Sequence, residues 1–236
     1  MRTIFLWTLA AAIAVPTFAW AQEGSELDRL CYGGGDPEQT IVACTALIAG
    51  GLVDNSDLGA AFKNRGNAYA DEGRYDSAIA DYGHATEIAP GDREAFNDRG
   101  TSYSAKGQFD LAILDFDRAL ALNPADAMVL SNRCFAKAAM NRLEEALIDC
   151  NESLHLRPED PSTFASRGFA YLRFEEAIAD YNAEIRINPG NPYSLFGRGI
   201  ARGLQGDLSG SKADIAAAKA ISMSIAESMA ALGVHL

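Results

Sequence analysis

The side chains able to do chemistry in this 236-residue chain are few and regularly placed. Cysteine occurs at Cys31, Cys44, Cys134 and Cys150, an even count that allows three pairings. A zinc site needs Cys or His ligands close together, and a redox pair needs C-x-x-C; neither spacing occurs, so no metal or cofactor is expected. His84, His155 and His235 stand far apart and make no ligand pair or nucleophile–base arrangement. There is no Gly-rich phosphate loop and no serine elbow, so the chain is not expected to be an enzyme. The remaining regular chemistry is ionic. Arg65, Arg99, Arg133, Arg167 and Arg198 are each followed, 16 residues later or 13 in the fourth case, by Asp81, Asp115, Asp149, Asp180 and Asp214. Such a series is either an arginine ladder for phosphates and carboxylates or a set of structural salt bridges. Since every Arg brings its own Asp, salt bridges are the reading adopted.

The elements that must place these residues come from the rest of the chain. Hydrophobic residues make up 48% and charged ones 22%, the composition of an ordered soluble protein. A net charge of -12 opposes nucleic acid and anionic membrane surfaces as partners. Residues 1–21 read as a secretory leader: Arg2 precedes an apolar run from Ile4 to Val15, and Ala19-Trp20-Ala21 ends it. That run is too short to span a bilayer. Cleavage after Ala21 and a periplasmic or secreted destination are expected, with no membrane insertion once the leader is removed.

Aligned against itself, the chain repeats. Gly66, Gly100, Cys134 and Gly168 fall at a step of 34 residues, each behind an Arg, and Gly199 follows three residues early. With this small residue as position 8, position 4 is Phe62, Phe96, Leu130, Phe164 and Leu195, and position 20 is Ala78, Ala112, Ala146, Ala177 and Ser211. Position 24 is Tyr82, Phe116, Cys150, Tyr181 and Ile215. Apolar residues at 4, 8 and 11, then at 20, 24 and 27, describe two amphipathic helices, A and B. Pro90, Pro124, Pro158 and Pro189 stop helix B, and Asp92, Asp126, Asp160 and Asn191 are set to cap the next helix A.

A 34-residue unit of this pattern resembles the tetratricopeptide repeat, over about residues 25–221. The resemblance implies an all-α fold: a right-handed superhelical solenoid of antiparallel helix pairs. Its divisions would be a degenerate repeat at 22–58, full repeats at 59–92, 93–126, 127–160, 161–191 and 192–221, and a capping helix at 222–236. Three departures stand out. The fourth repeat is short at its turn, Glu184 replaces a small residue, and Arg202 replaces an aromatic. Positions 8 and 24 face each other across a helix pair in this alignment, which selects Cys31–Cys44 and Cys134–Cys150 as disulfides.

The family's groove lies along helix A, at positions 2, 5, 9 and 12. Carried onto this chain, those positions give Lys63, Asn67, Glu94, Asn97 and Thr101 at one end. Phe135, Phe169, Tyr193, Phe196 and Ile200 stand at the other. Lys63 and Asn67 match half of a carboxylate clamp, but Asp98 and Met128 break it. The expected function is a periplasmic adaptor holding a peptide segment or domain of another envelope protein. The alternative is a homodimer formed through the aromatic strip, or that strip covered by the chain's own C-terminal helix.

Overall fold

The computed structural model describes residues 26–51, 53–171, 177–232 and 234; the leader and the turn of the fourth repeat lie outside them. Thirteen helices and no strand occur among the described residues. They are α1 (26–32), α2 (Pro37–Gly50), α3 (Asn55–Asp71), α4 (Tyr75–Ile88), α5 (Arg93–Ala105), α6 (Phe109–Leu122) and α7 (Ala127–Ala139). The rest are α8 (Leu143–Leu156), α9 (Pro161–Ala170), α10 (Ala177–Ile187), α11 (Pro192–Leu204), α12 (Leu208–Ile221) and α13 (Ile225–Ala231). Consecutive helices pair and the pairs stack, making a solenoid of helical repeats.

Each boundary has a local cause. Asp92 accepts from the N–H groups of Glu94 and Ala95, Asp126 from Met128 and Val129, and Asn191 from Tyr193 and Ser194. These bonds satisfy donors that the first helical turn leaves free. Asp36 caps α2 in the same way, with Pro37 in the first turn, a signature shared with Asp160 and Pro161. The A–B turns need a left-handed residue: Gly73 (φ 71°), Gly107 (φ 71°) and Gly206 (φ 90°), with Asn141 (φ 61°) in the third repeat. Asparagine is among the few side chains that tolerate this region.

The paired helices lie close because position 8 has no bulk. A Cβ on Gly100 would stand 2.7 Å from the Phe116 ring. Tyr181 reaches further: a Cβ on Gly197, in the next repeat, would stand 2.4 Å from its Cζ. In the third repeat both members of the column are cysteines, and the structure joins Cys134 to Cys150, with Cα atoms 5.4 Å apart. Cys31 and Cys44 are likewise bonded, between α1 and α2, at 4.9 Å. Leu27, Leu30, Ala43 and Leu47 surround that bond, and Leu30 and Ala43 stand at the positions where other repeats keep their ion pair.

Position 27 holds each pair to the next. It is a buried alanine in most repeats, but Ser153 donates to the Ala127 carbonyl at 2.7 Å and meets the Thr163 hydroxyl at 2.8 Å. Glu184 is 1% exposed and accepts from the Asn191 side chain at 3.0 Å. Its length therefore reaches the cap of the following helix, which an alanine could not do.

Candidate functional site

The five arginines make one motif. Arg65 Nε and Nη2 donate to the two oxygens of Asp81 at 2.7 and 2.8 Å, and the other four pairs repeat this fork between 2.6 and 2.8 Å. All five aspartates are buried, at 3–5% exposure. The hydrogen bond that Arg65 donates to Asp81 holds its guanidinium above its ordinary range, against the cost of burial. The third nitrogen, Nη1, reaches back to the preceding repeat. Its acceptors are Thr45 (3.0 Å), Thr86 (3.0 Å), Asp117 (2.5 Å), Asn151 (2.9 Å) and Asn182 (2.8 Å). Four of these occupy position 25. In the first full repeat that position is Gly83, and Thr86, one turn later, takes over. Sequence reasoning paired Arg with Asp but missed this link between repeats. A guanidinium bonded on three sides is not an open anion site.

The Arg202 departure has its reason here, and Lys137 shares it. Arg202 Nη1 donates to Asp214 at 2.8 Å, and Lys137 Nζ to Asp149 at 2.7 Å. Each is a second cation on an aspartate, at the position where Tyr69 and Tyr171 instead lie beside Arg65 and Arg167.

Helices α5, α7, α9 and α11 line a concave cavity of about 710 Å³, closed at its far side by α13. Phe109, Phe135 and Phe169 form a ladder along it, with ring centroids 6.0 and 5.7 Å apart. Tyr193 is 48% exposed at its edge. Ser131, Asn132, Ser162 and Ser166 supply polar groups, and Lys106, paired with Asp76, is the one charged lining residue among those described. The hydroxyls of Ser104 and Ser194 are buried in its wall without a hydrogen-bond partner among the described residues. An aromatic concavity of this kind suits large apolar side chains.

Phe196 and Ile200 do not belong to it. Phe196 is 1% exposed, packed with Leu195, Ala218, Ile225 and Met229, and Ile200 lies against the same cluster. The cause is α13, which covers the inner face of α11. Phe109, by contrast, was not expected in the groove. It stands at the first residue of a helix B, in a column shared with Tyr75, Leu143 and Leu208, and that column was the available signal.

The other end of the concave face is charged. Lys63 Nζ lies 2.9 Å from Asp92 and 3.1 Å from Glu94, so its ammonium is already engaged. Asn67 is exposed and accepts from the Tyr82 hydroxyl at 2.7 Å. Asn97 is 5% exposed, a structural amide and not a groove contact: it accepts from Asn132 at 3.0 Å and donates to Asp98 at 3.1 Å. Thr101 is exposed and donates to the Asn97 carbonyl. Arg93, Glu94, Asn97, Asp98, Asp126, Met128 and Val129 line a smaller cavity of about 180 Å³. Burial pushes the Asp98 carboxyl above its usual range.

His84 packs against Phe62 at 4.8 Å and His155 is exposed; His235 lies outside the described residues. Among the described residues no cluster of three His, Cys, Asp or Glu could hold a metal, and no helix is long and apolar enough to cross a membrane.

Comparison with known proteins agrees with this architecture. The family model for the tetratricopeptide repeat matches residues 59–92 and 94–126. A tetratricopeptide repeat protein from Parabacteroides merdae superposes with a TM-score of 0.70 at 17% identity, covering 89% of this chain and 88% of that one. A thermophilic protein of the same kind from Thermus thermophilus gives 0.62 at 18%, covering 74% and 97%. YrrB, described as having an unusual peptide-binding site, gives 0.54 at 17%, covering 81% and 98%. At these identities the likeness is one of fold. No curated protein matches the chain.

Proposed function

We propose, for a chain that carries tetratricopeptide repeats and so belongs to that family, a role as a periplasmic adaptor that holds a peptide segment or domain of another envelope protein. Proteins of this family mediate protein–protein interactions and bind peptides. The observation that carries the reading is the aromatic concave cavity with its Phe109–Phe135–Phe169 ladder. Aromatic side chains on rigid helices offer large contact area at low entropic cost. Export is supported by the leader-like residues 1–21 and by two disulfides, which persist in oxidising compartments.

A photoreactive amino acid at position 169, followed by crosslinking in intact cells, tests this. Capture of one envelope protein, lost when Phe135 becomes Ala, supports the adaptor. Crosslinking of the chain to itself, with a dimer on sizing, would transfer the cavity to the homodimer reading.

A further inference from the structure

We infer that the segment held in the aromatic cavity carries a basic side chain, lysine or arginine, that lies over Asp98 at the adjoining end of the concave face. The inference rests on the peptide-binding reading above and names the chemistry of its partner.

The two cavities share a wall. Thr101 lines the aromatic one and Asn97, one turn earlier on α5, lines the smaller one. Asn132, facing the aromatic cavity, donates to Asn97, which in turn donates to Asp98. A segment leaving the aromatic ladder towards the first repeats therefore passes over Asp98.

The charges there do not balance. Four carboxylates, Asp92, Glu94, Asp98 and Asp126, face two cations, Lys63 and Arg93, and both cations are taken. Lys63 is held by Asp92 and Glu94, and Arg93 pairs with Asp126. Among the described residues no cation comes within ion-pair distance of Asp98, a half-buried carboxylate whose hydrogen-bond donor is a neutral amide. A partly desolvated carboxylate, eased by that amide and by the nearby charge of Lys63 but by no ion pair of its own, gains more from an incoming cation than an exposed one does.

Among the described residues no carboxylate lines the aromatic cavity, so an ion-pair partner for a basic group lies outside it. Its lysine, Lys106, stands eight residues beyond Asp98, roughly 12 Å along the helix at about 1.5 Å per residue. Large apolar anchors in the cavity with a cation beside them thus satisfy both regions. An acidic segment would meet four carboxylates. The net charge of -12 also favours approach of a basic segment.

Random nine-residue peptides displayed on phage, selected on the oxidised protein, provide the test. The wild type, the Phe135→Ala/Phe169→Ala double variant and Asp98→Asn are compared, with circular dichroism to establish that each is folded. The expected wild-type pool is rich in large apolar residues accompanied by Lys or Arg. Asp98→Asn should keep the apolar preference and lose the basic one. For a synthetic peptide from the pool, replacing its Lys by Gln should weaken binding to the wild type about tenfold and to Asp98→Asn hardly at all. Apolar enrichment without a basic preference, or a basic preference that survives Asp98→Asn, overturns the inference and leaves the cavity standing. Pools that do not differ between the wild type and the double aromatic variant overturn the cavity itself.

Discussion

The first two full repeats and the last three are built on the same columns yet use the variable ones differently. At the N-terminal end the concave face is charged, and position 11 carries Tyr69 and Tyr103. Towards the C-terminus the concave face is aromatic, while Lys137 and Arg202 occupy position 11 in two of three repeats and add a second cation to the buried aspartate. Positions 7, 8, 20 and 23 hold helix to helix and hardly change. Positions that face open space, or that only reinforce a contact, are free to diverge, and binding character follows them.

The largest effects should come from the ion pairs. Among the described residues Arg99 is the one cationic side chain bonded to Asp115, whereas Asp214 keeps Arg202 if Arg198 is lost. Arg99→Ala strands a buried carboxylate and should cost about 3 kcal/mol or more. Arg198→Ala should cost about half of that, because a charge partner remains. Urea unfolding of the two variants measures the gap. Equal losses would mean that the second cation does not compensate, and the contrast between the halves would lose its energetic content.

Next come the disulfides. Cys134–Cys150 and Cys31–Cys44 close loops of similar size, each worth about 3 kcal/mol in a chain-entropy account. Their places differ. A repeat array is coupled between nearest neighbours, so a weakened internal repeat uncouples the two halves, while a weakened terminal one frays alone. Replacing Cys134 and Cys150 by Ser should lower the urea midpoint and split or broaden the transition. The same change at Cys31 and Cys44 should leave a single transition with a smaller first loss, read by circular dichroism.

How much of this was legible depends on what fixes each residue. The columns with Gly66, Gly100 and Gly168 could be read because the close approach of Tyr82, Phe116 and Tyr181 allows no side chain there. Capping was legible for a related reason: Asp92 and Asn191 meet a demand of the backbone itself. The groove was only half legible. Phe169 and Phe196 share the signature of an exposed aromatic on a helix A, and what separates them is the neighbour, α13, which fills the space over Phe196. Periodicity within a repeat carries no information about what packs across the array. The Nη1 links were hidden because Thr, Asp and Asn all serve as acceptors, so position 25 shows no constant residue type.

The comparison can be sharpened at the level of binding. Phe135→Ala with Phe169→Ala should reduce affinity for a selected peptide by about 100-fold, a loss typical of two buried aromatic anchors. Lys63→Ala with Asn67→Ala should change it by about threefold or less, because Lys63 is already engaged by acids and Asn67 by Tyr82. Fluorescence anisotropy with a labelled peptide measures both. Similar losses at the two ends would show that the segment is gripped along the whole face.

The smallest effect concerns Asp98 in the free protein. Burial raises its pKa above the ordinary value of 3.8, so the folded chain binds this proton more tightly than the unfolded chain does. An acid shifted in that direction costs stability when ionised. The cost is fully present above the raised folded pKa and vanishes once the pH falls below the unfolded value, where both states are protonated. Asp98→Asn, which keeps an acceptor for the Asn97 amide, should therefore raise the thermal midpoint by a few degrees or less at pH 7. The advantage should shrink as pH falls through the raised pKa and be gone below about 3.8. A variant less stable than the wild type at pH 7 would mean that the Asp98 carboxylate is compensated within the chain. The charged end of the concave face would then have no unsatisfied group with which to select a basic partner.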